Sequence, residues 1–319
     1  MTDTLTRPTP GLDPRKFRDP LVTATGEVRA QVALKALETL WFNTGTLCNL
    51  TCQNCYIESS PRNDRLAYLS AAEVAHYLDE IAALGLGTGL IGFTGGEPFM
   101  NRELPAMLDA AMARGFDAIV LTNAMKPMHH MKRALLRLRE RYGNRLTVRV
   151  SLDHYGQAVH ELERGEHSWA PTVDGLKWFA GNGFRVNVAS RYLSGEPEAA
   201  LRQGFARLFA EHGIALDAGD PVALMIFPEM DPSADVPEIT TACWGILDKS
   251  PDSVMCATSR MVVKHKGAAT PSVVACTLLP YDKLWDLGPS LAGAQGVVPL
   301  NHPHCAKFCV LGGAACSRG

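Results

Sequence analysis

From position 40 onward, short apolar runs of strand character alternate with longer segments of helical period. The runs cover positions 40–43, 89–93, 118–122, 146–151, 185–190 and 222–226, which predicts six strands joined by helices. Ser70 with Glu73 has the form of a capping box, Asn101 and Pro171 stand at later helix starts, and Gly85, Gly115 and Gly183 stand at helix ends. Strict alternation predicts an α/β fold with a parallel sheet flanked by helices. Right-handed crossovers let six such units curl into a partial (β/α)6 TIM-like barrel. In such folds the chemistry gathers at the C-terminal ends of the strands.

The pattern fails at both ends of the chain. Residues 1–36 carry Pro8, Pro10, Pro14 and Pro20 with little periodicity, and read as an extended arm that wraps the body. The barrel is expected over 37–228. Beyond Pro228 the alternation stops, prolines cluster, and six of the nine cysteines fall between Cys243 and Cys316, so 229–319 reads as a second, smaller unit. The basic stretch 132–145 reads as one helix face with Leu135, Leu136 and Leu138 turned inward.

Composition narrows the classes. The 319 residues are 46% hydrophobic and 20% charged, which is ordinary for a globular protein, and no apolar run has the length needed to cross a bilayer. The N-terminus has no apolar core of the secretory kind, so a cytoplasmic and therefore reducing location is expected. Nine cysteines there are more natural as metal ligands or catalytic thiols than as disulfides. A net charge of −2 without a concentrated basic face gives no indication of nucleic acid, and no membrane partner is expected.

Cys48, Cys52 and Cys55 follow the first predicted strand with the spacing C-x3-C-x2-C. Three thiolates in so short a loop can present sulfur to three irons of a cubane, whereas tetrahedral zinc needs a fourth ligand from elsewhere. By spacing alone, zinc completed by a distant cysteine or His129 stays open. At the end of the second strand, Thr94-Gly95-Gly96-Glu97-Pro98 combines two glycines that allow close backbone approach with a carboxylate. Taken alone it is an ordinary strand-to-helix turn.

Together, C-x3-C-x2-C followed by Tyr56, and T-G-G-E-P about 40 residues later, resemble the radical S-adenosylmethionine superfamily. The resemblance implies that Cys48, Cys52 and Cys55 hold a 4Fe-4S cluster whose open iron chelates S-adenosylmethionine. It further implies that Gly95, Gly96 and Glu97 hold the methionyl ammonium and that Tyr56 sits beside the adenine. The family's product is a 5'-deoxyadenosyl radical that takes hydrogen from a substrate, and an external one-electron donor such as flavodoxin or ferredoxin is implied with it. The segments R-V-S-L-D-H and H-E-L-E-R-G look like the family's S-L-D and H-D-x-x-R-G, with Ser151 and Arg164 at the positions that contact ribose or the methionyl carboxylate. Glu161 replaces the more usual Asp, and His154 the more usual Gly. Asp153 and Asn123 also fall at strand ends.

The later cysteines resemble the twitch or SPASM extension of the same superfamily. Residues 261–264 and 272–275, flanking Lys266-Gly267, read as its hairpin. Gly267 to Cys276 leaves a longer interval than is usual, and the last segment lacks the full SPASM spacing, so one auxiliary 4Fe-4S cluster is expected rather than two. Cys256, Cys276, Cys305 and Cys309 are its expected ligands, with Cys316 competing for the last place, and a zinc ribbon is the alternative. Cys243 beside Trp244 reads as a buried thiol, with a ligand or hydrogen-donor role open. Relatives with this extension modify peptides, protein side chains and small molecules. A peptide or protein side chain is favoured, ahead of a radical dehydrogenation or rearrangement of a sugar, nucleotide or other metabolite. A non-enzymatic iron-sulfur carrier or zinc protein is the reading from a different class. Asp153, His154, Glu229 and Asp231 are candidate substrate contacts.

Overall fold

The computed structural model describes residues 11–193, 195–229 and 231–314. Its strands are β1 (Gln31–Val32), β2 (Thr39–Asn43), β3 (Leu90–Thr94), β4 (Asp117–Thr122), β5 (Leu146–Ser151), β6 (Arg185–Arg191), β7 (Leu224–Phe227), β8 (Ser259–Val263), β9 (Ser272–Val274) and β10 (Val298–Pro299). The α-helices are α1 (Ala71–Ala83), α2 (Leu104–Ala113), α3 (Lys126–His129), α4 (Lys132–Tyr142), α5 (Gln157–Arg164), α6 (Trp169–Gly181), α7 (Glu198–Glu211) and α8 (Cys243–Ile246).

The six expected strands form β2 to β7, parallel and in sequence order. All five residues of β2 are buried, as in a parallel sheet covered on both faces. Helix α1 opens on the complete Ser70–Glu73 capping box, and Gly85, Gly115 and Gly183 follow helix ends with φ of 61°, 92° and 72°. One expectation on α4 is corrected. Leu135 and Leu138 are buried, but Leu136 is 40% exposed, because consecutive residues on a helix cannot both face the sheet.

The sheet does not end at the boundary expected near 228. Strand β8 pairs in parallel with β2, Thr39 opposite Ser259 and Trp41 opposite Met261, and β9 turns back antiparallel to it, giving the order β7-β6-β5-β4-β3-β2-β8-β9. The hairpin read from the sequence is present. Its seat on the barrel's first strand carries no periodic signal, since among the described residues the only α-helix between β7 and β8 is the four-residue α8. Residues 1–10 of the expected arm lie outside the described residues; from Gly11 onward the segment packs along the C-terminal part, Gly11 bridging Ala234 and β1 pairing antiparallel with β10. Arg29 anchors it, fully buried, paired with Glu238 and donating from Nε to Asp19 O at 2.8 Å. No helix among the described residues is long and apolar enough to cross a membrane.

Candidate active site

The cysteine loop leaves β2 at the C-terminal end of the sheet, where β3, β5 and β6 also end. Backbone hydrogen bonds run from Thr44 N to Thr94 O (2.8 Å), Gly96 N to Gly45 O (2.8 Å) and Glu97 N to Leu47 O (3.1 Å), so the loops after β2 and β3 lie against each other. This packing explains both glycines. A Cβ would lie 2.5 Å from Gly45 O at Gly95, where φ is 147°, and 2.3 Å from Leu47 O at Gly96.

One cavity lies under these loops. Cys48, Cys52, Cys55, Tyr56, Gly95, Gly96, Ser151 and Arg164 all line it, as do Asn123 and Asp153. The sulfurs are held by the loop's own amides: Cys48 Sγ accepts from Leu50 N at 3.4 Å and Cys55 Sγ from Ser59 N at 3.3 Å. Burial pushes the Cys48 thiol up to about 12, reinforced by Glu97, Cys52 and Cys55. Burial also raises Cys52, opposed by Arg164. Three thiols in one lining, two of them accepting from backbone amides, form a donor set suited to a metal-sulfur group. His129 is exposed on α3 and does not line the cavity, so it is not placed to complete a zinc site.

Glu97 follows the two glycines in the chain and is buried. It is 2% exposed and stands behind the glycines, outside the cavity lining. Its Oε1 accepts from Thr122 Oγ1 (2.8 Å) and Phe99 N (3.1 Å), and its Oε2 from Asn123 N (2.8 Å), which ties the loop after β3 to the end of β4. Burial pushes its carboxyl up to about 7, against those hydrogen bonds, which favour the ion. Arg164 closes α5 with its fork on Asp153, Nε to Oδ2 at 2.6 Å and Nη2 to Oδ1 at 3.0 Å. Burial works against its charge, but Asp153 and the Cys52 thiol more than compensate.

Two charged lining residues escaped the sequence reading. Glu163 accepts from Asn54 N (3.0 Å) and Asn54 Nδ2 (2.8 Å) of the cysteine loop, and pairs with Arg191 Nη1 at 2.5 Å. The signal for Glu163 was its place beside Arg164 in H-E-L-E-R-G, and that for Arg191 was the C-terminal end of its strand. The other expected substrate contacts do not line the cavity. His154 bonds Glu196 at 3.0 Å and stacks on Tyr155, Glu229 is exposed, and Asp231 accepts from Ser233 N in a turn.

Cys256, Cys276, Cys305 and Cys309 line a second, smaller pocket with Trp285 and His304. Cys305 and Cys309 lie on a π-helical turn, Cys305–Leu311, of the kind that recurs at functional sites. Burial, then Cys276 and Cys256, drive the Cys305 thiol well above its ordinary value, and burial pushes Cys256 up to about 11. Cys276 Sγ accepts from Leu278 N at 3.4 Å. Cys316 lies outside the described residues. Cys243 does not line this pocket, and its sulfur accepts from Thr240 N at 3.4 Å. Among the described residues no three His, Cys, Asp or Glu side chains converge on a point that one ion could occupy. Each thiol set lines a pocket of its own, as ligands of a metal-sulfur group would.

The two pockets adjoin through the chain. Thr277 and Phe308, next to Cys276 and Cys309, line the large cavity, and Phe308 stacks on Phe227 with ring centroids 5.4 Å apart. An α/β sheet thus carries three thiols in the lining of one large cavity and four in the lining of a second pocket, a donor set of the kind that metal-sulfur proteins use. The chain belongs to the radical SAM superfamily, which residues 42–202 match over half its length. It is 33% identical over 143 residues to the antilisterial bacteriocin subtilosin biosynthesis protein AlbA of Bacillus subtilis, a match covering 44% of this chain and 30% of that protein. It is 31% identical over 150 residues to the Fe-coproporphyrin III synthase of Methanosarcina barkeri, covering 46% of this chain and 35% of that one. The chain thus spans about a third of either relative. The structure of Streptococcus suis SuiB bound to the precursor peptide SuiA has the same fold, with TM-score 0.59 and 12% identity over 83% of this chain and 66% of that one.

Proposed function

We propose that this chain is a radical enzyme that cleaves S-adenosylmethionine and modifies a peptide or protein side chain. The observation that carries the reading is the single cavity shared by Cys48, Cys52, Cys55, Gly95, Gly96, Ser151 and Arg164, whose far wall is built by chain neighbours of the second thiol set. In this reading Cys48, Cys52 and Cys55 hold one 4Fe-4S cluster, and Cys256, Cys276, Cys305 and Cys309 hold an auxiliary one. A cluster held there and reduced by an external donor such as flavodoxin or ferredoxin would supply the one electron needed for reductive cleavage of S-adenosylmethionine, the chemistry by which this family generates a 5'-deoxyadenosyl radical for hydrogen abstraction.

The chain's own residues bind and orient. Gly95 and Gly96 bring their backbone to the cavity. Glu97, behind them, offers the Oε2 that has one hydrogen bond to a ligand ammonium. Arg164 has N–H donors beyond the two that Asp153 takes, and these suit the methionyl carboxylate, with Ser151 beside it. Tyr56, in the cavity lining and 43% exposed, would cover the adenine. Phe227, Phe308 and Leu121 keep the far wall apolar and exclude water from a reactive species. The peptide assignment is supported by AlbA, a bacteriocin biosynthesis protein, and by the peptide held in SuiB. The Fe-coproporphyrin III synthase is the comparison that favours a small molecule instead. Anaerobic reconstitution tests the two-site reading: about eight irons per chain are expected, and about four after Cys48→Ala, Cys52→Ala and Cys55→Ala are combined. A wild-type chain that takes up zinc and at most one iron per thiol set contradicts it.

A further inference from the structure

One side chain of the C-terminal part reaches into the cysteine loop. Tyr281 stands a few positions after Cys276; between them, Leu278 N donates to Cys276 Sγ at 3.4 Å and Thr277 lines the large cavity. Leu278 and Leu279 are buried in a hydrophobic layer against which Cys256, Cys276, Cys309 and Tyr281 all pack. The Tyr281 hydroxyl donates to Ile57 O at 2.8 Å and accepts from Asn63 Nδ2 at 3.3 Å. Ile57 is buried, lines the large cavity and follows Cys55 and Tyr56 in the chain. Its neighbour Glu58 has φ of 52°, a left-handed conformation that a residue with a Cβ keeps only where its surroundings fix it. Asn63 Nδ2 donates to Glu58 O at 2.8 Å, and Arg65 Nη1 pairs with Glu58 Oε2 at 2.8 Å while the same guanidinium lies 3.5 Å from the centre of the Tyr281 ring. The chain just after the third thiol is thus held in part by a tyrosine from the segment that carries an auxiliary thiol.

We infer that Tyr281 is a positioning residue through which the second thiol set governs ligand affinity at the first. With Cys276 held as a ligand, the segment 276–281 is fixed at both ends, and the Tyr281 hydroxyl on Ile57 O keeps Tyr56 and Cys55 in place. With Cys276 released, the segment gains conformational freedom, and the hydrogen bond to Ile57 O must order it again before it can hold the loop. Filling the second site therefore raises affinity for S-adenosylmethionine at the first. This inference rests on the two-site reading above and deepens it by naming the contact that joins the sites.

The test measures S-adenosylmethionine binding by equilibrium dialysis against the anaerobically reconstituted, oxidised holoprotein, with iron content determined on the same samples. Tyr281→Phe, which keeps the ring beside Arg65, is expected to retain about eight irons and to bind about fivefold more weakly, the loss of one hydrogen bond to a buried carbonyl. Cys256→Ala combined with Cys276→Ala, holding about four irons, is expected to lose about the same factor. Adding Tyr281→Phe to that chain is expected to cost almost nothing more, because both changes act through one contact. Tyr77→Phe is the control for general loosening. Its hydroxyl also joins the barrel to the C-terminal part, donating to Pro271 O at 3.2 Å and Pro289 O at 2.9 Å, but it lies outside the cavity lining, and affinity is expected to stay at the wild-type value. Wild-type affinity in Tyr281→Phe, an equal loss in Tyr77→Phe, or losses that multiply in the combined chain overturns the inference and leaves the two-site reading standing. Where the doubly substituted chain holds no iron at all, Tyr281→Phe set against Tyr77→Phe in the eight-iron protein decides by itself. A wild type that loads both sites yet binds no S-adenosylmethionine overturns the inference and the enzymatic reading together.

Discussion

At the scale of single residues, the site turns on how burial changes a charge. Glu97 is the clearest case, a carboxyl raised to about 7 by burial, while its hydrogen bonds from Asn123, Thr122 and Phe99 and the charge of Arg164 favour the ion. A ligand ammonium beside it favours the ion and lowers its pKa in the complex. Affinity for S-adenosylmethionine should therefore be full above pH 7 and should fall about tenfold per unit between pH 7 and 5, as the free carboxyl takes up its proton. Equilibrium dialysis across that range checks this, and Glu97→Gln should remove the dependence along with part of the affinity. In the protein without ligand the same shift works on stability. The raised pKa contributes stability that is complete below the unfolded value of 4.5 and is lost as pH rises through about 7. The sequence could show the composition of this site but not its pairings. Cys48, Gly95, Glu97 and Arg164 were legible because their spacing is itself the signal. That Glu97 faces inward, that Asp153 takes the fork of Arg164, and that Glu163 joins Asn54 to Arg191 depend on contacts between residues 11 to 109 positions apart, which no local pattern encodes.

At the scale of elements, the expected strands and helix ends were readable because each is set locally, by apolar runs, by the Ser70–Glu73 box and by glycines with positive φ. The seat of β8 beside β2 was not, since parallel pairing across 220 positions leaves no local trace. That pairing has an energetic consequence. Phe42 in the barrel and Trp285 beside the auxiliary pocket are both buried, in hydrophobic layers on the two faces of one sheet. Phe42→Ala and Trp285→Ala should each cost about 3–5 kcal/mol of stability. Because β8 ties the two regions together, both should shift the same single denaturant transition of the holoprotein. Two separate transitions, each sensitive to one substitution, would show instead that the parts on either side of position 228 are independent domains.

At the scale of the whole molecule, the arrangement places a ligand cavity between two thiol sets on a continuous sheet. The extended arm, through Arg29 and β1, closes the C-terminal part on itself. The barrel could be foreseen from alternation and the first thiol set from spacing. The convergence of Cys256, Cys276, Cys305 and Cys309 on one pocket could be expected only through the family resemblance, because they come from three separated stretches of chain. The central claim is that the first thiol set is a reagent and not a structural or electron-carrying site. The direct measurement is release of 5'-deoxyadenosine from S-adenosylmethionine by the anaerobically reconstituted, dithionite-reduced protein. The account predicts release by the wild type and none once Cys48→Ala, Cys52→Ala and Cys55→Ala are combined. A fully iron-loaded wild type that binds S-adenosylmethionine yet releases no 5'-deoxyadenosine would contradict it.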